Sequence, residues 1–175
     1  MTDLLVLCTG NASRSVMAGF MLEHLKATRP GPELRIVTAG THVINGQPMG
    51  MRTRTALSSI EELAGDDFNR HRSRQVVEAD LKVAELVVVM EADHVRFVRR
   101  QFADAASRTG TITRLCRDLP PAPPALSVRV AALDLAGVDL SEDTDVLDPA
   151  GFEADVYAAC AQQLWGLCQQ LIVTL

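Results

Sequence analysis

The stretch that decides the fold is "DLLVLCTGNASRSVMAGFMLEHLKAT", residues 3–28. The four apolar residues after Asp3 are typical of a strand that is buried on both faces of a sheet. From Ser15 to Thr28 the apolar residues are spaced as in a helix. Between strand and helix stand the eight residues "CTGNASRS" (8–15), which include a cysteine, a glycine and an arginine. The stretch therefore predicts a strand, a loop and a helix, with the chemically active residues concentrated in the loop.

The rest of the chain repeats this alternation. Short apolar runs alternate with helical patterns, which indicates a parallel sheet joined by crossover helices. The predicted strands are 3–8, 34–40, 85–90 and 110–116. The predicted helices are 15–28, 51–64, 73–84, 91–104 and 152–175. We therefore predict an α/β fold, a single domain with a four-stranded parallel sheet and helices on both faces.

One segment departs from the alternation. Residues 117–148 begin with the proline-rich "RDLPPAPPA" and end in an acidic, poorly patterned stretch. Proline interrupts regular structure because it lacks a backbone N–H group. Within this segment, residues 126–137 have a pattern compatible with a helix. We interpret 117–148 as an irregular excursion of one domain that spans residues 1–175.

Composition excludes several classes of protein. Hydrophobic residues make up 47% of the 175 residues, which is enough to bury a sizeable core. The net charge of −5 is unlike the basic character of proteins that bind nucleic acid or membrane surfaces, so neither partner is expected. No apolar run approaches the about 18 residues of a membrane span. The N-terminus lacks the features of a signal peptide, so we expect a cytoplasmic protein.

The cysteines give no indication of a disulfide framework or a metal site. Cys8, Cys116, Cys160 and Cys168 are widely spaced, and in a reducing compartment they are expected to be free thiols. No cysteine or histidine pair has the spacing of metal ligands, so no metal and no cofactor is predicted. Cys160 and Cys168 are expected to pack as small apolar residues of the last helix.

The loop at residues 8–15 occupies the place where parallel sheets bind ligands, between the carboxyl end of a strand and the start of a helix. Unpaired N–H groups and the helix dipole both favour an anion at such a place. Gly10 allows the backbone to approach a ligand closely, and Asn11 tolerates left-handed backbone angles. The loop between strand 1 and helix 1 is therefore predicted to wrap its amides around an oxyanion.

Cys8 and Arg14 indicate which reaction this anion site could catalyse. A helix N-terminus and a neighbouring arginine both favour the thiolate form of a cysteine, and Ser15 can donate a hydrogen bond to it. The planar guanidinium of Arg14 fits two phosphoryl oxygens, which a lysine cannot match. These residues predict a thiolate that attacks the phosphorus of a bound phosphate dianion. The expected phosphate-binding residues are Thr9, Gly10, Asn11, Ala12, Ser13, Arg14 and Ser15.

The pattern C-x5-R-S at residues 8–15 resembles the signature of the low-molecular-weight protein tyrosine phosphatases. Further matches follow in the family's order. They are "TAGT" (38–41), "GQP" (46–48), "HRSRQ" (71–75), "AELVVVMEADH" (84–94) and "LDP" (147–149). The chain is therefore identified as a member of this family. The resemblance implies a phosphomonoester hydrolase, a protein tyrosine phosphatase that acts through a phosphocysteine and needs no cofactor.

The resemblance also implies a role for each matching residue. Cys8 would be the nucleophile, and Arg14 would hold the phosphate and the transition state. Asp148 would protonate the leaving oxygen and then activate the water that hydrolyses the phosphocysteine. Asp145, in the same acidic run, is the next candidate for this acid. A hydrogen-bonded network that supports the loop would consist of Asn11, Ser15, Thr38 and His71.

Three positions depart from the family pattern. Ser13 stands where the family usually has a second cysteine beside the arginine. Ala12 stands where a larger residue usually forms the pocket wall, and Phe152 is the nearest aromatic residue after the Asp-Pro pair. The thin wall leaves phosphotyrosine, phosphoarginine and small phosphate esters open as substrates. The expected partner is therefore a phosphorylated protein or a small phosphomonoester.

Two other functions are compatible with the scaffold. A thiol-dependent arsenate reductase needs two further cysteines, usually just after the third strand, and "VVVMEADH" (87–94) has none. A non-catalytic phosphate-binding or phosphopeptide-binding module is disfavoured because Cys8, Arg14 and Asp148 are all present. The remaining histidines, His24, His42 and His94, are expected at the surface.

Overall fold

The computed structural model describes residues 2–28, 33–141 and 144–175. Its strands are β1 (Thr2–Cys8), β2 (Leu34–Gly40), β3 (Leu86–Val89) and β4 (Thr109–Thr111). They form one parallel sheet in the order β2-β1-β3-β4. Because every strand runs the same way, all four carboxyl ends meet at one edge of the sheet. The predicted α/β class and four-stranded parallel sheet are confirmed.

Helices connect and cover the strands. They are α1 (Arg14–Ala27), α2 (Met51–Ser58), α3 (Glu78–Val83), α4 (Ala92–Gln101), α5 (Ile112–Asp118), α6 (Leu126–Ala131) and α7 (Ala154–Ile172). Short 3-10 turns lie at Glu61–Leu63, Phe68–Arg70 and Ala103–Arg108. In the described ranges, no helix combines the length and the apolarity that a membrane crossing requires.

The sheet separates two cores, because successive residues of a strand point to opposite faces. Leu4, Val6 and Cys8 of β1 pack into the core that α1 and α7 cover. Leu5 and Leu7 pack into the core that α3 and α4 cover. Burial on both faces explains why the apolar run of β1 has no polar interruption. It also places Cys8 at the end of the strand, on the side of α1.

The fourth strand was predicted wrongly at residues 110–116. β4 has only three residues, and the rest of the segment forms α5. The Thr111 hydroxyl accepts a hydrogen bond from the Arg114 amide at 3.3 Å, so Thr111 is the N-cap of α5. A threonine favours both strands and helix N-caps, and here the cap interaction ends the strand.

Several predicted helices are shorter than expected, including the last one, which spans Ala154–Ile172 instead of 152–175, and the one at 126–137, which ends at Ala131. The segment predicted as a helix at 73–84 is helical only from Glu78. Before that residue the chain is extended, and Gln75 pairs with Gly40 of β2. α2 and α4 also end before their predicted positions, and a 3-10 turn lies after each. This pairing adds a short extended stretch to the sheet at the end of β2. The loop after β1 lies at the same edge of the sheet.

A buried arginine holds part of the segment 117–148, of which residues 142 and 143 lie outside the described ranges. Arg129 of α6 is only 3% exposed. Its guanidinium donates to the carbonyl oxygen of Pro124 at 2.8 Å and to that of Thr174 at 2.5 Å. One side chain thus joins the proline-rich stretch to the residues after α7. α6 is the helix that the sequence pattern allowed inside this segment.

α1 and β2 approach each other closely at Gly19. A Cβ atom added at Gly19 would overlap Thr38 Cγ2. Thr38 is not free to rotate away, because its Oγ1 accepts a hydrogen bond from Asn11 Nδ2 at 3.1 Å. The missing side chain at residue 19 therefore lets α1 pack on the strand without disturbing the loop after β1.

We expect Gly19→Ala to lower the free energy of unfolding by about 1–3 kcal/mol, the usual cost of overpacking. Gly166→Ala in α7 is the matched control, because a Cβ atom there meets nothing within 4 Å. The higher helix propensity of alanine should raise the free energy of unfolding of this control by up to about 1 kcal/mol. Urea unfolding measures both variants, and equal effects would contradict the close approach at Gly19.

Candidate active site

The loop of residues 9–13 leads from β1 into α1 at the edge where the strands end. Asn11 is fully buried and has a backbone φ of 49°, in the left-handed region that asparagine tolerates. In the described part of the chain, no backbone amide of residues 10–15 has a hydrogen-bond acceptor. Together with the start of α1, these amides form a site that favours an anion.

Gly40 lets β2 lie directly against this loop. It pairs with Cys8 in the sheet register. A Cβ atom at residue 40 would lie 2.5 Å from the Thr9 carbonyl oxygen and 2.8 Å from the Asn11 amide nitrogen. Any side chain there would push the loop out of position. The glycine of "TAGT" is therefore required by a close backbone approach.

Cys8 lies at the base of the loop and is 3% exposed. Its Sγ atom is 3.0 Å from Ser15 Oγ. The Ser15 oxygen also accepts a hydrogen bond from Asn11 Nδ2 at 3.1 Å. Since that oxygen already has a donor, the Ser15 proton is available to Cys8 Sγ. This arrangement suits a sulfur that carries negative charge.

The predicted supporting residues all contact Asn11. Its Nδ2 donates to Thr38 Oγ1 at 3.1 Å, and its Oδ1 accepts from the Arg74 amide at 3.0 Å. His71 Nε2 lies 2.9 Å from the Asn11 carbonyl oxygen. Burial lowers the pKa of His71, more than its hydrogen bond to Asn11 raises it. The neutral ring therefore donates its Nε2 proton to that carbonyl.

Arg14 is the first residue of α1 and is 1% exposed. Its Nη1 donates to Glu91 Oε2 at 2.9 Å and to the Val146 carbonyl oxygen at 3.0 Å. Its Nη2 donates to Asp148 Oδ2 at 2.6 Å. Burial opposes the charge of Arg14, but the carboxylates of Glu91 and Asp148 outweigh it and raise the pKa of the guanidinium. Arg14 is therefore a permanent, oriented cation beside the loop.

The two candidate acids lie in different surroundings. Asp148 contacts Arg14, and its Oδ1 accepts from the Ala150 amide at 3.0 Å. Asp145 Oδ1 instead accepts from the Ala92 amide at 2.7 Å, at the start of α4. Asp148 is thus the carboxylate of this pair that reaches the guanidinium of the loop arginine.

Glu91 and His94 are site residues that the sequence analysis missed. His94 was expected at the surface, but it is 2% exposed, so that expectation was wrong. Its Nε2 lies 3.0 Å from Thr9 Oγ1 and 3.2 Å from Glu91 Oε1. Burial lowers the pKa of His94 to about 4, although the Glu91 charge opposes this shift. Both residues follow β3 closely in the sequence. Because the carboxyl ends of parallel strands meet at one edge of the sheet, this position was the sequence feature that could have placed them near the loop after β1.

The remaining loop residues form its open side. Thr9 and Gly10 are partly exposed and Ala12 is exposed. The Thr53 hydroxyl of α2 donates to the Ala12 carbonyl oxygen at 3.1 Å and lies 3.4 Å from Ser13 Oγ. The start of α2 is thereby fixed against the outer part of the loop.

A sequence model of the family described as low molecular weight phosphotyrosine protein phosphatase matches residues 3–120, more than half of the chain. The chain belongs to this family. The match includes the loop after β1, the network around Asn11 and the residues after β3. Asp148 lies beyond the matched residues.

This phosphatase is similar to curated protein-arginine-phosphatases of two bacteria. It is 26% identical over 168 residues to the protein of Geobacillus stearothermophilus, covering 96% of this chain and 92% of the relative. It is 25% identical over 169 residues to the protein of Bacillus subtilis (strain 168), covering 97% and 93%. It also resembles the solved low molecular weight protein tyrosine phosphatase of T. tengcongensis, with a TM-score of 0.76, 28% identity and 100% of both chains covered. The predicted cysteine-dependent phosphatase is confirmed.

The other cysteines of the phosphatase are ordinary thiols, of which Cys160 and Cys168 are buried and Cys116 is partly buried. Burial raises the pKa of Cys116 to about 11 and that of Cys160 to about 12. It also raises the pKa of Cys168, which is fully buried under α1. These three thiols stay protonated at neutral pH, and a protonated thiol is a poor nucleophile.

We expect His94 to make the phosphatase less stable as the pH falls. In the unfolded chain His94 gains its proton near pH 6.5, whereas in the folded chain it does so at about 4. Between these values the unfolded state binds more protons, so the free energy of unfolding falls by up to about 1.4 kcal/mol per pH unit. Above about pH 6.5, His94 is neutral in both the folded and the unfolded chain, so it no longer lowers the free energy of unfolding. The lowered pKa of His71 acts in the same direction.

His94→Gln tests this effect, because glutamine keeps an N–H donor but does not titrate. Urea unfolding at pH 7 and at pH 5 measures the change for each protein. The loss of stability between the two pH values should be smaller in the variant. An unchanged loss would mean that His94 is not the buried neutral base described above.

Proposed function

We propose that this phosphatase removes phosphate from phosphorylated side chains of proteins, with phosphotyrosine as the first candidate. The observation that carries the proposal is the convergence of Cys8, Arg14 and Asp148 at one loop. Cys8 Sγ has a hydroxyl donor in Ser15, and the Arg14 guanidinium bonds to Asp148. A nucleophile, an anion clamp and a proton donor are the three groups that this reaction needs.

In the first step, the Cys8 thiolate attacks the phosphorus atom, and a sulfur–phosphorus bond forms as the bond to the leaving oxygen breaks. The loop amides and the fork of Arg14 hold the remaining phosphoryl oxygens as charge develops on them. Ser15 stabilises the sulfur in its anionic form before the attack. The covalent intermediate divides one difficult displacement into two easier ones.

Arrival of the phosphate changes the partners of Arg14. In the structure the guanidinium is shared between Glu91 and Asp148. The Asp148 side chain is 39% exposed and that of Glu91 is 25% exposed, so Asp148 is the carboxyl that yields its place at lower cost. A phosphate dianion replaces Asp148 as the hydrogen-bond partner of Arg14 Nη2. Asp148 then turns toward the leaving oxygen. Glu91 remains and keeps the guanidinium oriented.

Asp148 completes both steps. After it leaves Arg14 it takes up a proton from solvent, and it then gives this proton to the leaving oxygen, or to the leaving nitrogen of a phosphoguanidine. As a carboxylate it then takes a proton from a water molecule, whose oxygen attacks the phosphocysteine and releases phosphate and the Cys8 thiolate. Its next residue is a proline, which restricts the backbone of this turn and limits the range of the carboxyl group.

Phosphoarginine is the second candidate substrate. The curated relatives of similar length are named protein-arginine-phosphatases. Ala12 is small and exposed on the open side of the loop, so it leaves space for a guanidinium as well as for a phenol ring. The two substrates need the same nucleophile, clamp and acid, and they differ in the shape that the pocket wall must accept.

The test of the proposed function is a panel of peptides that carry phosphotyrosine, phosphoarginine or phosphoserine at one position. We expect hydrolysis of at least one of the first two, measured as released phosphate. Cys8→Ser should abolish turnover and keep phosphate or vanadate binding, because the amides and Arg14 bind the anion. Residual activity within about tenfold of wild type, or about 1.4 kcal/mol of barrier, would remove Cys8 as the nucleophile.

The role of Asp148 predicts a dependence on the leaving group. A leaving group of high pKa needs a proton in the transition state, whereas p-nitrophenolate needs little help. Asp148→Asn should therefore lower the rate on phosphotyrosine about 10²–10⁴-fold and that on p-nitrophenyl phosphate much less. The control is Asp145→Asn, which keeps the oxygen that accepts from Ala92. If Asp145→Asn showed the leaving-group dependence instead, the assignment of Asp148 would be wrong.

A further inference from the structure

The Thr9 hydroxyl lies beside the guanidinium nitrogen that bonds to Asp148. Arg14 Nη2 is 3.4 Å from Thr9 Oγ1 and 2.6 Å from Asp148 Oδ2. His94 Nε2 is 3.0 Å from the same hydroxyl oxygen. In the described ranges, these two nitrogens are the hydrogen-bond contacts of the Thr9 hydroxyl. The direction of the hydroxyl proton therefore depends on which of the two nitrogens donates.

The contact with Arg14 has only one possible direction, whereas the contact with His94 has two. A guanidinium nitrogen can only donate, so Thr9 Oγ1 accepts from Arg14. A neutral imidazole carries one proton, on Nδ1 or on Nε2, and the other nitrogen accepts. Burial lowers the pKa of His94 to about 4, so the ring is neutral at neutral pH. The position of its single proton decides whether Thr9 donates to this ring.

Two observations place the His94 proton on Nε2. This nitrogen lies 3.2 Å from Glu91 Oε1, and a carboxylate oxygen accepts from an N–H group but repels a nitrogen lone pair. Nδ1 is buried and has no hydrogen-bond partner in the described part of the chain. A buried N–H group without an acceptor is rarer than a buried acceptor without a donor. We therefore assign the tautomer in which Nε2 donates toward Glu91 and Thr9.

Both neighbours of the Thr9 hydroxyl thus donate to its oxygen, and among the described residues its own proton has no acceptor. Thr9 is partly exposed on the open side of the loop, so this proton can point toward a bound ligand. Donors to the oxygen also polarise the hydroxyl and strengthen it as a donor. The arrangement suits a hydroxyl that donates to an anion in the loop.

We propose that the Thr9 hydroxyl donates a hydrogen bond to a phosphoryl oxygen of the substrate, and that His94 is the positioning residue that directs it. This inference rests on the proposed function, and it adds a side-chain donor to the loop amides and Arg14. The place of the phosphoryl oxygen follows from Arg14 Nη2, which contacts both Thr9 Oγ1 and Asp148. A donor fixed there stabilises the charge that develops in the transition state.

Thr9→Val and Thr9→Ser test the hydroxyl, because valine keeps the shape of threonine and serine keeps its O–H group. The substrate is p-nitrophenyl phosphate, which depends little on the proton of Asp148. We expect Thr9→Val to lower kcat/KM about 10–100-fold, the usual effect of losing a hydrogen bond to a charged group. The inhibition constant of vanadate should rise by a similar factor. Thr9→Ser should recover most of the activity that Thr9→Val loses.

The matched control is Thr113→Val in α5, which makes the same chemical change at a hydroxyl that has no hydrogen-bond partner. It should leave kcat/KM unchanged, and urea unfolding should show that Thr9→Val is folded. An unimpaired Thr9→Val, or a Thr9→Ser that is equally impaired, would overturn the role of the hydroxyl. An equal loss in Thr113→Val would overturn it as well. Failure of the wild-type enzyme on p-nitrophenyl phosphate and on every phosphopeptide would instead overturn the proposed function.

His94→Gln and His94→Asn test the positioning role. The amide nitrogen of glutamine can take the place of His94 Nε2 and donate to Thr9, whereas the shorter asparagine does not reach it. We expect kcat/KM to fall much further in His94→Asn than in His94→Gln. Adding His94→Asn to Thr9→Val should cause little further loss, because both changes act through one hydroxyl.

Equal effects of glutamine and asparagine, or independent losses in the double variant, would overturn the positioning role of His94. If His94→Asn does not fold, His94→Leu takes its place in the same comparison, because leucine has no polar group to leave unpaired. The Thr9 variants test the hydroxyl separately from any effect of His94 on folding.

Discussion

The burial of the Arg14 guanidinium is the constraint on which the rest of the site depends. A cation that is 1% exposed is destabilising unless it is paired and hydrogen-bonded. Glu91, the Val146 carbonyl and Asp148 supply those bonds from two distant segments. The same requirement therefore orients the Arg14 guanidinium and brings the candidate acid to the loop after β1. Asp148 is the more exposed of its two carboxylate partners.

Asn11 provides the second constraint. Its left-handed backbone turns the loop, and its side chain and carbonyl bond to Ser15, Thr38 and His71. Each of these partners stands on a different segment, so the loop is supported from α1, β2 and the stretch before α3 at once. Neutral, buried imidazoles suit this arrangement, because His71 and His94 hold the loop without adding charge next to Arg14. The positive charge next to the loop is thus left to the Arg14 guanidinium.

The predictions that held and those that failed differ in the range of the interactions behind them. The apolar run of residues 3–8 predicted β1 because burial on both faces leaves a local pattern. The prediction of the fourth strand at 110–116 was wrong because the helix cap that the Thr111 hydroxyl forms with the Arg114 amide outweighed a local β pattern. The prediction that His94 lies at the surface was wrong because the side chain is buried against Thr9 and Glu91. The contact with Thr9 joins residues that are far apart in the sequence, so no local pattern indicates it.

The sequence by itself determined the strand-loop-helix unit, the parallel sheet and the reactive loop from Cys8 to Ser15. These follow from local spacing, since the cysteine, the glycine, the asparagine and the arginine lie within eight residues. Only the tertiary structure decided which carboxylates reach Arg14, namely Glu91 and Asp148. The physical reason is distance along the chain. Side chains brought together by the common edge of a parallel sheet leave no periodic signal, and only the packed fold defines their contacts.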